Sequence, residues 1–496
     1  MRRSTIYALT LIGVLAGCLP AMAARRGQLI PEPMARRHGL TRPWFTQVQL
    51  DSARARISHI TLDRGTLFVQ TDQAVLHAID AETGQSLWAE AVGRRGHPSF
   101  TPGANEYFVV VVNGSYLNVL NRENGKLLWK TQLEGAPGAG AALSAKRAYV
   151  PLVAGKVMSY LLEPMKDPLE ELGLISQQED PSPEEEEASN RERREGIRLS
   201  QEYVPPLACQ SFGRSLVQPL VARQTEDEEY VAWPTDRGYL FVGYVARLDK
   251  HFTIRYRLQT ESGIASQPAY LPPHPDILPN QGVLCAASRD GFVHAIEEKA
   301  GTSLWRFSTA EPILEAPVAI GTHIYVATQP GGMYCLEAKS GTEKWWAPQV
   351  AQFIAASKDR VYVTDKLDRI VVLDAATGAR LDTILAYGQD IKLVNIDTDR
   401  IYLATGTGLV QCLHEVELAQ PIVHRQPPAV IAEETAEQEP AGPEGQPPAG
   451  GPSGAGGGAA EDPFSGAGAP SGPAGGAAGG GAQADPFANP NADPFQ

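Results

Sequence analysis

The chain has 496 residues, a formal net charge of −14 and 43% hydrophobic residues. Phosphate binding needs a concentrated basic surface, so this balance excludes nucleic acid as a partner, and no basic stripe with interleaved aromatics is present. The two ends differ in composition from the middle, which leaves roughly 380 residues to fold, enough for two or three ordinary domains or one large repeat domain.

The N-terminus reads as an export signal, residues 1–23. Arg2 and Arg3 form a positive n-region, and Ile6 to Ala16 is an apolar run too short to span a bilayer. Two cleavage sites compete. Leu15-Ala16-Gly17-Cys18 matches the lipobox of bacterial lipoproteins and makes Cys18 a candidate lipid attachment site, whereas Ala21-Met22-Ala23 matches ordinary secretory cleavage. Residues 24–42 are expected to be a basic tether. No other stretch is long and apolar enough to cross a membrane. Export permits disulfides, yet Cys209, Cys285, Cys335 and Cys412 are widely separated and mostly sit in apolar runs, so they read as buried free thiols. Without a C-x-x-C pair, a zinc knuckle or an attached haem has no support.

Residues 43–420 are dominated by internal repetition. Ala78 to Trp88, Val119 to Trp129, Ala295 to Trp305 and Cys335 to Trp345 share an Asp/Asn/Glu-x-x-x-Gly tract followed, in the fullest copies, by Leu-Trp. A fifth copy, Val372 to Leu381, has Asp382 where the Trp is expected. Adjacent copies lie about 40 residues apart, the period of a four-stranded, WD40-like propeller blade. The tract makes a hairpin whose Gly takes a positive φ without penalty. A blade cannot bury both faces alone, so a Trp at a fixed position fills the gap to the next blade, and a small residue such as Ala78 or Ala295 leaves it room. Trp44, Trp88, Trp129, Trp305 and Trp345 are therefore expected at equivalent blade-docking positions.

The weaker middle of the chain supplies two further blades. Arg147–Pro151 and Lys156–Tyr160 are strands of a third, and Tyr230–Trp233, Tyr239–Gly243 and Phe252–Tyr256 of a fourth. The last repeat, Asp390 to Leu418, lacks a fourth strand, and Pro43 to Leu50 is expected to supply it and close the ring. The fold class is thus all-β, a β-propeller of about eight four-stranded blades, with seven as the alternative count.

The third blade is interrupted at about 163–200. Asp167-Pro168-Leu169-Glu170 and Ser182-Pro183-Glu184-Glu185 are capping-box signatures, predicting a single turn ending near Gly173 and a polar helix through Glu187, Arg191 and Arg194. The Glu184 to Glu187 run reads either as a docking site or as a solvated face. Residues 421–496 form a Pro/Gly/Ala-rich tail with almost no large apolar residues, expected to be disordered. Its three Phe residues, Phe464, Phe487 and Phe495, all fall in Asp-Pro-Phe copies, candidate peptide motifs of a multivalent binder or products of repeat expansion.

The Asp-x-x-Thr-Gly-x-x-Leu-Trp repeats resemble those of the pyrroloquinoline-quinone (PQQ)-like propellers. That resemblance implies a propeller but divides on function. Some members are quinoprotein dehydrogenases; others are non-catalytic, typified by the lipoprotein of the outer-membrane β-barrel assembly machinery. The dehydrogenases carry adjacent cysteines, absent here, and isolated acids such as Asp290 and Asp374 fall in turn sequences. There is no Gly-rich phosphate loop, His cluster or Ser-His-Asp arrangement. No catalytic, cofactor-binding or metal-ligating residue is assigned. The expected role is a non-catalytic scaffold for protein–protein interaction in the bacterial cell envelope, with envelope or outer-membrane proteins as partners, a lipid anchor at Cys18 and no small-molecule substrate. The alternative is a PQQ-dependent quinoprotein dehydrogenase.

Overall fold

The repeat tract folds for a local reason. In the first repeat Asp80 Oδ1 accepts the backbone N–H groups of Glu82 (3.1 Å) and Thr83 (2.7 Å), closing a turn that Gly84 completes at φ 71°. Asp374 does the same for Ala376 and Thr377, at 3.2 and 2.8 Å. The Thr377 hydroxyl and these amides hold the exposed Asp374 carboxyl below the usual carboxylate range. The turn joins a third strand, Val75–Asp80, to a fourth, Ser86–Ala91, and Ile57–Asp63 and Thr66–Thr71 complete the blade.

The computed structural model describes residues 29–425 apart from 52, 163–204, 226–227, 247–250, 330 and 387. The export signal with Cys18, the two predicted helices of the insertion, and the tail with Phe464, Phe487 and Phe495 lie outside the described residues. Thirty-two strands form eight four-stranded antiparallel sheets, the blades of a β-propeller. The count is eight, not seven. Counting from the blade just described, the fourth, outer strands of blades 2 to 7 are Leu127–Gln132, Leu207–Gln210, Phe252–Gln259, Ser303–Ser308, Glu343–Pro348 and Arg380–Ile384. Blade 8 takes three strands from the C-terminal side, Ile391–Lys392, Ile401–Ala404 and Leu409–Glu415, and its outer strand, Leu40–Gln47, from the N-terminal side.

The expected tether is corrected where it is described. Residues 30–42 lie packed on the ring: Glu32–Arg37 is a short helix, and Ile30, Ala35 and Leu40 are buried in the core shared by blades 7 and 8. Apolar residues at 30, 35 and 40 gain more from this burial than a free tether would. At the other end the chain stays packed as far as Arg425, a few residues beyond the expected boundary.

Every outer strand except that of blade 3 carries a β-bulge beside its docking position. Trp88 opposes Ala78, but Ser86 already opposes Ile79, so Leu87 is the extra residue. The same slip makes Leu128, Leu304 and Leu381 the extra residues in blades 2, 5 and 7. A bulge re-aims the next side chain, turning Leu87, Leu304 and Leu381 outward (Leu87 is 51% exposed) and, where the next residue is Trp, the indole toward the next blade.

At four junctions that indole lies on the glycine of the next blade's hairpin. A Cβ at Gly84, Gly125, Gly341 or Gly378 would stand 2.4, 2.4, 2.5 or 2.6 Å from Trp44, Trp88, Trp305 or Trp345. The indole N–H groups donate into the same hairpins, to the carbonyls of Ala81 (3.0 Å), Arg122 (2.8 Å), Ala338 (2.9 Å) and Ala375 (2.9 Å). Trp129 takes the corresponding place against blade 3, 3.5 Å from the Leu162 carbonyl. Blade 4 uses Tyr256, whose ring covers Gly301 and whose hydroxyl donates to Glu297 O (3.0 Å) and Glu298 O (2.7 Å).

Two junctions depart from this rule. Between blades 7 and 8 the position is Asp382, which pairs with His38 just ahead of the closing strand. Between blades 3 and 4 the outer strand offers only Leu207, and the aromatic comes from the other side. Trp233, fully buried in the second strand of blade 4, donates to Ser211 Oγ (3.1 Å) at the exit of blade 3. Gly243 makes room for it, because a Cβ there would lie 2.7 Å from the indole. Beside it the buried Tyr149 hydroxyl donates to Glu229. Burial raises the Glu229 carboxyl pKa, opposed by that hydrogen bond and by Arg147.

Replacing Trp44, 7% exposed, by Ala removes a buried indole from the closing junction and should cost about 3–5 kcal/mol, read by chemical denaturation. An intact midpoint would show that the junction repacks. A carboxyl with a raised folded pKa contributes stability below its unfolded pKa and loses it as pH rises through the folded one. Glu229→Gln should therefore gain stability relative to the parent as pH is raised from about 4 to 7, measured by thermal melts, and a constant difference would sink this account.

Candidate interaction surface

The expected docking residues are spread around the ring and do not converge on a site. The four buried cysteines are free thiols. Burial pushes Cys209 up to about 11 and Cys285 and Cys335 up to about 12, so none of these is poised as a nucleophile. Asp290 accepts the Phe292 amide at 3.2 Å within a turn and the Glu261 amide at 3.1 Å. Among the described residues no group of three or more His, Cys, Asp or Glu is arranged to hold a metal ion.

The feature that stands out is the linker leaving blade 3. Large apolar side chains exposed on a rigid loop mark recognition surfaces more often than packing. Phe212 is 63% exposed and Leu216 45%. Their loop is held from three sides. Ser211 accepts the Trp233 indole N–H and donates to Gly155 O at 2.6 Å. Gly213 takes φ 96° under the Arg237 side chain, where a Cβ would come within 2.8 Å of that chain. Arg214 clamps Asp236 through both its backbone N–H and its Nε, each at 2.7 Å. Burial works to raise the Asp236 carboxyl, but these Arg214 bonds outweigh it and hold it below the usual range.

Phe212 stacks edge-on to Tyr239 at 5.9 Å, and the Arg257 guanidinium lies 5.3 Å over the ring of Tyr239. Next to Leu216 a cavity of about 200 Å³ is lined by Val217, Pro234 and Ile264 and flanked by Arg214 and Arg289. The result is a preformed apolar spot ringed by arginines on a chain that is acidic overall. A rigid surface of this kind binds with little ordering cost. Its signal in the sequence was Phe212 beside Gly213, outside any strand-like run. Tyr256 was legible only as an aromatic one repeat ahead of Gly301, and Trp233 not at all as a docking residue, because it lies in a second strand without the Gly-x-x-Leu context.

No helix among the described residues is long and apolar enough to cross a membrane. No curated protein matches the sequence. Among solved structures the fold is similar to BamB from Moraxella catarrhalis, with a TM-score of 0.52 and 12% identity over 76% of this chain and 97% of that one. It is also similar to the computationally designed Ika8 protein, with a TM-score of 0.51 and 15% identity over 74% and 98%. These likenesses bear on fold alone. The sequence profile of the outer membrane protein assembly factor BamB matches residues 41–163 and 289–414, half of the chain. With eight PQQ-like blades and that match, this chain belongs to the BamB family of β-propellers.

Proposed function

We propose that this protein is a non-catalytic scaffold of the bacterial cell envelope that grips partner proteins and serves outer-membrane protein assembly. The observation that carries the reading is the braced loop presenting Phe212 and Leu216 beside an arginine-flanked cavity. Membership of the BamB family supports it. The occupant is an extended segment of an envelope protein carrying an apolar side chain next to a carboxylate: the first fills the cavity by Leu216, and the second meets Arg289 or Arg237. The docking aromatics hold the ring as a rigid platform for this contact. Export through the N-terminal signal and lipidation of Cys18 would bring the scaffold to a membrane. The Asp-Pro-Phe copies add weak contacts that gain from being linked.

The Phe212→Ala, Leu216→Ala double variant should lose envelope proteins recovered by crosslinking and co-purification. Its stability should change by no more than about 0.5 kcal/mol, as is usual for exposed sites. Full recovery of every partner would place binding elsewhere on the ring. Calorimetry with PQQ and calcium is the counter-test, since tight binding with alcohol or sugar oxidation would replace the scaffold reading with the dehydrogenase one. Mass spectrometry of the mature N-terminus should find a lipidated Cys18; a chain starting at Ala24 refutes the anchor.

A further inference from the structure

After its last strand the chain turns back over the ring. Arg400, 1% exposed, holds it there, donating from Nη1 to Leu418 O (3.0 Å) and from Nη2 to Ala419 O (2.8 Å). Asp399 Oδ1 then accepts the Ile422 N–H at 2.9 Å, and His424 donates its backbone N–H to Asp397 O at 2.8 Å. These bonds deliver Arg425 to a cavity of about 250 Å³ on the ring's axis. Five blades wall it, through Leu220, Ala269, Val318, Phe353 and Val394 of their first strands and adjoining linkers.

The walls are braced and mostly apolar. The Gln267 side-chain amide donates to Pro219 O (2.8 Å), tying the entry of blade 5 to that of blade 4, and Ser266 Oγ donates to Glu315 O (3.1 Å), tying it to that of blade 6. Tyr325 stacks on Phe353 with ring centroids 5.3 Å apart, so an aromatic wall runs from blade 6 to blade 7. A dry apolar cavity of about 150 Å³ is enough for one benzene, and this one has room for a ring with a short arm.

Arg425 is the one cation lining the cavity among the described residues. Its guanidinium forms no hydrogen bond or ion pair with any of them. Asp397 feels its charge without pairing to it, and the nearby Tyr270 hydroxyl is spent on Glu298 at 2.6 Å. A guanidinium facing an apolar cavity suits a carboxylate, which it holds by charge-assisted, often bidentate bonds. Glu315 lines the same cavity and disfavours a second anionic group. No described Ser, Cys or His lines it, so the site is built to hold a ligand rather than to turn one over.

We propose that the axial cavity binds a small apolar monocarboxylate of the size of an arylalkanoic acid, its ring against Phe353 and Tyr325 and its carboxylate on Arg425. The site is separate from the partner surface, because no residue lines both this cavity and the one beside Leu216.

Ligand-observed fluorine NMR of the full-length protein with 4-fluorophenylacetate tests it. A probe of about eleven non-hydrogen atoms should bind saturably at about 0.1–1 mM. 4-Fluorophenylacetamide, which keeps the shape without the charge, and fluoroacetate, which keeps the charge without the ring, should each bind about tenfold more weakly or less. Arg425→Gln should cut the acid's affinity about tenfold and leave the amide's unchanged. Val394→Phe, checked by an unchanged melting temperature, should exclude both acid and amide by filling the cavity; Ala327→Leu replaces it should it fold poorly. The tripeptide Gly-Gly-Phe, standing for the carboxyl end of a partner chain, should not compete. Absence of saturable binding of the acid, an acid preference that survives Arg425→Gln, binding that survives the filled cavity, or displacement by Gly-Gly-Phe at equal concentration overturns the proposal.

Discussion

The structure depends on one contact, an aromatic ring lying on a glycine. A blade is a four-stranded sheet with two apolar faces, and no blade can bury both without neighbours. The hairpin glycine leaves a flat patch of backbone that the preceding blade's indole covers, while the indole N–H satisfies a carbonyl that the same approach has desolvated. Apolar burial and hydrogen bonding are thus met by one side chain. The bulge before it ensures that the ring, and not the leucine, faces the junction.

A ring built this way is only as regular as its junctions. Where Asp382 replaces the indole, the N-terminal strand closes the circle, and a carboxylate–imidazole contact with His38 stands in for the aromatic one. Where Leu207 replaces it, the docking direction reverses, and Trp233 reaches back into the exit of blade 3. The second exception ties the core to the surface. The serine that receives Trp233 precedes Phe212, so the indole that completes the ring also braces the exposed loop.

Buried polar groups reinforce the junctions on the other face. Tyr149 and Glu229 join blades 3 and 4, and Glu298 gathers Arg223 (3.0 Å) and Tyr270 (2.6 Å) between blades 4 and 5. Arg400 connects blade 8, blade 1 and the returning chain. Such groups are costly to bury and tolerate few alternative partners. They fix how one blade meets the next.

The blade, its period and the closure of the ring are all legible along the chain. Those features rest on local rules: a turn needs its Asp and Gly in fixed spacing, and a strand needs β-rich residues between turns. The docking positions that carry Trp are legible too, because their context repeats. What happens where the repeat is imperfect is settled only in three dimensions. Tyr256 and Trp233 complete junctions because of what faces them across a gap, and no local pattern encodes a neighbour supplied by another blade. Likewise the exposure of Phe212, the burial of Arg400 and the packing of residues 30–42 follow from surfaces that meet only once the ring has closed. Burial belongs to the assembled packing, which is why residues 30–42 read as part of a tether along the chain.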